Sequence, residues 1–451
     1  MDIYLHNTLS GEKELFKPIK KGLVSMYHCG PTVYDTPHIG NYRTFIMNDL
    51  IRRAFEYNQY EVNQVMNITD VDDKTINKSR EEKVPLKNIT QRYEKLFLEG
   101  LDCLNILRPT SLVRATEHIA DMIRLIEILR DKDFAYRAED GVYMRVDKIK
   151  NYGSLARLDL SHAGQTHERI ANDEYDKEKP HDFALWKFKS PEDGDIFWNA
   201  SFGQGRPGWH IECSAMAMKE LGPTLDIHTG GIDLVFPHHT NEIAQSESAT
   251  GKTFARYWIH GAFMTINREK MAKSKNNVIK LDDLKKESIS PLSYRYWLMT
   301  AHHRSLVDFS YNTLHAAQTG LIRLIKIVAS YPDGGTIIPD YQQRFQTFIN
   351  DDLDLPQALA LAWELIKDGS YSAADKKASL LDFDRVFGLK LASAPRAEYQ
   401  DIPAEIQALG SARQQARLEK DWAKADALRA EIEARGFVVS DTPEGMTIIA
   451  V

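Results

Sequence analysis

The sequence predicts an α/β fold: a parallel sheet with crossover helices, split by an insertion and followed by an α-helical bundle and a small mixed α/β segment at the C-terminus. Three observations carry this expectation. Apolar strand-like runs at 24–27 and 62–68 alternate with helical periods at 44–58 and 86–101, the order that crossovers impose on a parallel sheet. That alternation lapses over 115–206, where a helical period at 119–130, a hairpin-like segment at 134–146 and a polar stretch at 173–180 follow one another, and strand–loop–helix character returns over 207–261. Beyond 282 strand signals fade, and periods at 293–300, 313–328, 344–350 and 355–367 read as helices.

The remaining elements follow in order. Residues 393–405, rich in Ser, Pro, Arg, Glu and Gln without periodicity, read as a linker. Residues 412–434 read as one helix with Leu418, Trp422, Ala425, Leu428 and Ile432 on an apolar stripe, which assigns Trp422 to a core. Arg413, Arg417, Lys420 and Lys424 form a second, basic stripe. Gly436 is the expected cap, and a terminal hairpin is expected about Pro443-Glu444-Gly445. No internal repeat is visible. At 451 residues the chain exceeds the usual limit of one core, so several domains are expected.

Composition excludes more than it identifies. A net charge of −7 argues neither for nor against nucleic acid, because binding depends on local patches. The charged N-terminus (Asp2, Glu12, Lys13, Glu14, Lys17) is no signal peptide and no apolar run is long enough to span a membrane, so a cytoplasmic protein is expected. Cys29, Cys103 and Cys213 are too few and too far apart for a disulfide framework.

The most informative stretch is Cys29-Gly30-Pro31-Thr32 through His38-Ile39-Gly40-Asn41, which ends the first strand and opens a helix. A loop of this kind aims free N–H groups of a helix N-terminus above the sheet, which favours phosphate. His238 and Glu242, four apart, share a face if helical and could share one ion. With the thiols of Cys29 and Cys213 they would suit zinc. The plainer alternative makes the cysteines buried thiols, and His228 and His239 structural histidines. Lys270-Met271-Ala272-Lys273-Ser274 could clamp a polyphosphate by point charges, or be a solvated charge run. Asp70, Asp72 and Asp73 follow a strand and could hold magnesium or an amine, or cap the next helix. Gly230-Gly231-Ile232-Asp233 could offer backbone approach and a ribose-binding carboxylate, or be a turn.

Together these pieces closely resemble the class I aminoacyl-tRNA synthetases, and specifically the bacterial cysteinyl-tRNA synthetases. His38-Ile39-Gly40-Asn41 matches the HIGH signature with Asn41 in place of its second His, and Lys270 to Ser274 matches KMSKS with Ala272 in place of Ser. Cys29, Cys213, His238 and Glu242 fall where the family places four zinc ligands, and the resemblance covers essentially the whole chain, including Lys420 to Asp426 and Asp441 to Gly445.

The resemblance implies a Rossmann-like catalytic domain in two halves, 1–114 and 207–261, around a connective insertion at 115–206. A KMSKS-loop and stem-contact region at 262–312, a helical bundle at 313–392, a linker at 393–405 and an anticodon-binding domain at 406–451 would follow. It implies activation of L-cysteine by ATP with Mg2+, release of pyrophosphate, and transfer of cysteine to the 3′ end of tRNA(Cys), by a cytoplasmic monomer holding one Zn2+. His38, Asn41, Lys270 and Lys273 would be catalytic; His38, Gly40, Asn41, Gly231, Asp233 and Lys273 would hold ATP. Gly30, Thr32, Thr69 and Trp209 would line the amino-acid pocket, and Arg413, Arg417, Lys420 and Lys424 would contact tRNA. Zinc would select a thiolate over the hydroxyl of serine, which shape alone separates by only about 1–3 kcal/mol. Two rival readings stand beside this one: a ligase that passes the cysteinyl group to a small-molecule amine, and a catalytically silent RNA-binding paralogue motivated by Asn41 and Ala272.

Overall fold

The computed structural model describes residues 2–157, 182–270, 278–392, 403–435, 437–442 and 445–450. Its centre is a five-stranded parallel sheet in the order Ala255–Gly261, Leu225–Gly231, Leu23–His28, Glu61–Ile68, Ser111–Arg114. Leu225–Gly231 is buried throughout, as a parallel strand covered on both faces must be. Its polar residues are therefore committed: Asp226 accepts from the Ser25 hydroxyl (2.8 Å) and the Ile19 N–H (2.6 Å), and Thr229 donates to Asn48 Oδ1 (2.7 Å). From Leu23–His28 the chain builds outward to one side with Glu61–Ile68 and Ser111–Arg114, and later to the other with Leu225–Gly231 and Ala255–Gly261. The crevice at the carboxyl ends of the strands thus opens between Leu23–His28 and Leu225–Gly231, where such sheets bind ligands.

The first long helix, Ile39–Tyr57, begins earlier than its apolar period suggests because His38 caps it. The insertion forms a four-stranded antiparallel sheet, Ala135–Arg137, Gly141–Met144, Phe183–Phe188 and Gly205–Pro207. Asp73, ahead of it in the chain, clamps it to the central domain by pairing with Lys187 (2.8 Å) and Arg206, and Arg206 also holds Asp193 (2.7 Å). Beyond the central sheet, Val307–Phe309 is a strand the sequence reading lacked, paired parallel to Met264–Ile266, which in turn carries Glu269–Lys270. Residues 271–277 lie outside the described residues, and with them Lys273 of the expected lysine loop.

Helices Pro291–Met299, Tyr311–Ser330, Pro339–Asn350, Leu355–Lys367 and Ala373–Phe387 form the bundle. The last of these was not anticipated. The bundle shares one continuous apolar core with one face of the central sheet, while the insertion shares another with the opposite face. Arg295, fully buried, joins the parts: it donates to Asp49 Oδ2 (2.6 Å), Phe387 O (2.6 Å), Leu104 O (3.2 Å) and Asn105 O (3.3 Å).

The C-terminal segment requires corrections. The expected single helix over 412–434 is two, Ala404–Leu418 and Trp422–Ala434, so residues 404 and 405 of the expected linker are helical. Lys420 takes a left-handed φ of 61°, and Asp421 caps the second helix by accepting from Lys424 N (3.1 Å). The break resets the helical phase, so the extrapolated stripes fail across it. Trp422 is 56% exposed rather than in a core, and Leu418 is exposed, whereas Ala425 is buried and Ile432 is buried with Ile406, Phe437, Val439 and Ile448. Arg413 is buried, so it does not share an exposed basic face with Lys420 and Lys424. The terminal hairpin pairs Phe437–Thr442 with Gly445–Ala450; the expected cap Gly436, the turn residues 443–444, residues 393–402 and the polar stretch at 173–180 lie outside the described residues. No helix among the described residues is long and apolar enough to cross a membrane.

Candidate active site and metal centre

The His38–Asn41 segment opens a helix above the crevice, and the segment at 279–280 meets it there. His38 is the N-cap of Ile39–Tyr57: its Nδ1 accepts from Asn41 N (3.2 Å) and Asn41 Oδ1 accepts from His38 N (3.1 Å). This reciprocal cap engages only the oxygen of the exposed Asn41 amide and leaves its two Nδ2 hydrogens for another acceptor. The segment after the lysine loop is stitched to the same turn. Ile39 N donates to Ile279 O (2.9 Å), His38 bridges Lys280 in antiparallel fashion, and Lys280 Nζ approaches Asp35 Oδ1 (3.3 Å). Sequence reasoning missed Lys280 and Asp35 because nothing in their spacing marks a pair 245 positions apart. Lys270 ends the two-residue strand beside Met264–Ile266.

Across the crevice, Leu225–Gly231 ends in the short turn Ile232–Leu234. Asp233 is exposed there and folds back so closely that a Cβ on Gly231 would meet Asp233 Oδ1 at 2.5 Å. Glycine at 231 is thus required for the carboxylate to take this position.

The third component is a buried cluster. Cys29 emerges from Leu23–His28, Cys213 from helix Trp209–Leu221, His238 from the turn that enters helix Thr240–Thr250, and Glu242 from the first turn of that helix. Cys29 Sγ lies 3.6 Å from Cys213 Sγ and 3.7 Å from Glu242 Oε1, and His238 Nε2 lies 3.0 Å from Glu242 Oε1. All four ligand atoms lie within 4.8 Å of one another. A tetrahedral ion about 2.0–2.3 Å from N, O and S donors sets ligand edges of about 3.3–3.8 Å, close to these separations.

The donor chemistry agrees. His238 Nε2, though 3.0 Å from a carboxylate oxygen, is buried and makes no hydrogen bond of acceptable geometry among the described residues. Two donors turned toward a common point rather than toward each other produce that arrangement. Burial, the Cys213 sulfur and the Glu242 carboxyl push the Cys29 thiol up, while the Cys29 hydrogen bond and His238 bring Cys213 down to about 6 against its burial. Burial opposes charge on Glu242 and His238 too, yet His228 and His238 hold Glu242 down to about 2, and Glu242 and Cys213 hold His238 up to about 10. The protein alone thus resists a second thiolate here, which a cation would favour.

Outer partners orient the cluster. His228 Nε2 meets Glu242 Oε2 at 2.9 Å, and His210 Nδ1 meets His238 Nδ1 at 3.0 Å. His239 Nε2 lies 3.5 Å from Cys29 Sγ, and its Nδ1 is tied to His260 (2.8 Å). A second geometric set, Cys29–His228–His239–Glu242, therefore shares two members with the first. Cys213 offers the first set a second soft donor, whereas His228 is already occupied as a hydrogen-bond partner of Glu242.

The expected amino-acid pocket adjoins this cluster. Thr32 and Thr69 bridge, and Gly30 N donates to Asn67 Oδ1 (2.8 Å). A Cβ on Gly30 would sit 1.6 Å from Asn67 O, so only glycine admits this approach. Trp209 is 40% exposed and lies tilted over His238, ring centroids 4.2 Å apart. The acidic run is structural: Asp70 accepts from Thr116, Asp72 caps helix Asp73–Glu82, and Asp73 pairs with Lys187 and Arg206. In the C-terminal segment the Arg417 guanidinium lies 5.5 Å from the Trp422 ring centroid, with Lys420 and Lys424 exposed nearby in sequence.

Comparison with known proteins gives the family. Residues 15–319 match the model of the tRNA synthetases class I (C) catalytic domain, and residues 400–448 match that of the cysteinyl-tRNA ligase anticodon binding domain. Cysteine–tRNA ligase 1 of Burkholderia lata is 43% identical over 461 residues, covering 99% of this chain and 97% of the relative. The cysteine–tRNA ligase of Methanosarcina acetivorans is 42% identical over 468 residues, covering 99% and 98%. Among solved structures, Mycobacterium tuberculosis methionyl-tRNA synthetase in complex with methionyl-adenylate aligns at TM-score 0.54 and 15% identity, covering 81% of this chain and 90% of that one. A leucyl-tRNA synthetase–tRNA complex from Agrobacterium radiobacter K84 aligns at TM-score 0.57 and 10% identity, covering 84% and 85%, a likeness of fold alone. A catalytic-domain match over most of the chain, an anticodon-domain match at its end and full-length identity above 40% place the chain in the cysteine–tRNA ligase family of class I aminoacyl-tRNA synthetases.

Proposed function

We propose that this chain is a zinc-dependent cysteine–tRNA ligase whose amino-acid specificity resides in the Cys29–Cys213–His238–Glu242 cluster. The activity follows from the family: cysteine attacks the α-phosphorus of ATP to give cysteinyl-adenylate and pyrophosphate, and a terminal hydroxyl of tRNA(Cys) then takes the cysteinyl group. The observation that carries the zinc reading is the position of two sulfurs, an imidazole and a carboxylate immediately beside the loop that opens helix Ile39–Tyr57. Zinc held by these four residues would supply a soft cation that prefers a thiolate to the unionised hydroxyl of serine.

The chain's own residues do the rest by positioning and charge. In this reading the α-phosphate would lie above the N-terminus of Ile39–Tyr57, where Asn41 Nδ2 and the His38 imidazole donate to phosphate oxygens. Gly40 lets the triphosphate approach the backbone. Gly231 and Asp233 face it from the other strand end, the carboxylate receiving the ribose hydroxyls. Lys270 and Lys273 neutralise the departing pyrophosphate, with Mg2+ accompanying ATP. Gly30, Thr32, Thr69 and Trp209 enclose the amino acid between nucleotide and cluster.

For tRNA, the region at 262–312 and the bundle at 313–392 would brace the acceptor side, and the domain at 406–451 would read the anticodon. Lys420, Lys424 and Arg417 are the contacts we assign; Arg413 is withdrawn because it is buried. The anticodon-domain match at 400–448 favours a tRNA acceptor over a small-molecule amine. A cytoplasmic monomer completes the reading.

Cysteine-dependent exchange of pyrophosphate into ATP, with serine as control, tests the first step and excludes a silent paralogue. Charging of tRNA(Cys) against transfer to an amino sugar tests the second. Absence of exchange by pure zinc-loaded protein would overturn the proposal.

A further inference from the structure

One buried acid beside the cluster has no part in the mechanism above. Glu212 lies in the first turn of helix Trp209–Leu221 and is 1% exposed. Its Oε2 accepts from Thr69 Oγ1 at 2.9 Å, and among the described residues it forms no ion pair. A buried carboxyl without a positive partner is costly to ionise, and a cation brought within its reach removes that cost.

The hydrogen bonds around Glu212 show what it faces. Asn67 Nδ2 donates to Thr69 Oγ1 (3.2 Å), which commits the threonine proton to Glu212. Asn67 Oδ1 holds Gly30 N (2.8 Å) and lies 3.7 Å from Cys213 Sγ. Thr69 is itself fixed by backbone bonds to Pro31 O (3.1 Å) and from Val33 N (3.2 Å). One network therefore links the Cys29–Thr32 loop, the thiol cluster and the carboxylate. On the helix, Trp209, Glu212 and Cys213 stand at i, i+3 and i+4, so acid and thiol flank the exposed indole on one face.

Cysteine presents the complementary pair of groups: two carbons separate its sulfur from its ammonium. We propose that Glu212, oriented by Thr69, receives the α-ammonium of the substrate while the Cys29–Cys213 cluster takes its sulfur. This assignment rests on the pocket reading given above and adds a second point of recognition to it. Thiols that lack an amine would be held at one end only. The carboxylate would thus exclude thiol acids of the cell from a site that a soft cation alone would open to them.

The experiment compares three probes on full-length, metal-loaded enzyme by equilibrium titration: L-cysteine, cysteamine, which keeps thiol and amine, and 3-mercaptopropionate, which keeps thiol and carboxylate. Glu212→Gln should weaken cysteine and cysteamine by about tenfold or more, as for loss of a charge-assisted hydrogen bond. Binding of 3-mercaptopropionate should change less than about twofold on the same scale, with metal content unaltered. Equal weakening of all three probes, or of none, would overturn the assignment. Should Glu212→Gln fail to fold, Glu212→Asp reads the same ratio, because it keeps the charge but withdraws it from the amine. Wild-type enzyme that binds cysteine no better than serine would overturn the pocket reading itself, a result visible before any variant is made.

Discussion

Cys29 Sγ and Cys213 Sγ lie 3.6 Å apart although 184 positions separate them in the chain. The first ends a central strand and the second stands on the helix that follows the insertion, so the insertion must fold back for the two to meet. Replacing Cys213 with Ser should lower bound zinc below one per chain and raise the KM for cysteine by at least about tenfold to a hundredfold, the scale already seen when residues that only orient metal ligands are lost. Metal analysis beside cysteine-dependent pyrophosphate exchange checks both. Full zinc content with unchanged KM would remove Cys213 from the site.

Asn41 has two roles that one substitution separates. Asn41→Asp keeps the oxygen that caps His38 N but removes the Nδ2 donors and adds charge facing phosphate. Thermal stability should be retained while kcat for adenylation falls by about 10²–10³-fold, as when a transition-state donor is lost. A variant with normal exchange would show that Asn41 acts only as a cap.

The ion cluster that docks the insertion predicts a pH response. Burial would raise Asp73 and Asp193, but Arg206 and Lys187 hold Asp73, and the Ser190 N–H with Arg206 holds Asp193, below the ordinary 3.8. Depressed folded values contribute stability fully above 3.8, and that contribution is lost as pH falls through them. Acid titration of Arg206→Met should therefore show a flatter loss of stability below pH ~4 than wild type. Superimposable acid profiles would exclude the cluster as their source.

Arg295 is the buried charge between helix Ile39–Tyr57 and the bundle. Arg295→Met strands Asp49 and three carbonyls, at a cost of about 3–5 kcal/mol if Arg53 does not compensate. Denaturant unfolding measures this. A change under about 1 kcal/mol would show that Arg53, already 2.8 Å from Asp49, suffices.

Trp422 and Arg413 should respond oppositely. Trp422→Ala, at an exposed site, should change stability by less than about 0.5 kcal/mol yet weaken tRNA(Cys) binding, whereas Arg413→Ala should destabilise the domain. Filter binding and thermal melts distinguish them, and a destabilised Trp422→Ala would restore the core reading of that residue.

Local pattern determined much of this protein. The central strands, the helices around residues 50, 95 and 125, the insertion's hairpin and the terminal hairpin follow from periodicity, because the same faces that alternate in sequence are those buried against a neighbour. The signature residues and the four candidate ligands were reached through resemblance to a family, because the ligands form no spacing motif of their own. What the sequence misjudged lay where helical phase was carried across a break: one left-handed residue, Lys420, turned Trp422 outward, and Arg413 proved buried on the helix before it. Only tertiary structure decided which groups share a site. Tertiary packing set Cys29 opposite Glu242, joined Lys280 to Asp35 beside the His38 cap and left Glu212 buried beside Thr69 without an ion pair among the described residues. Such pairings depend on how the sheet is wound and where the insertion folds back, and chain separation carries no record of either.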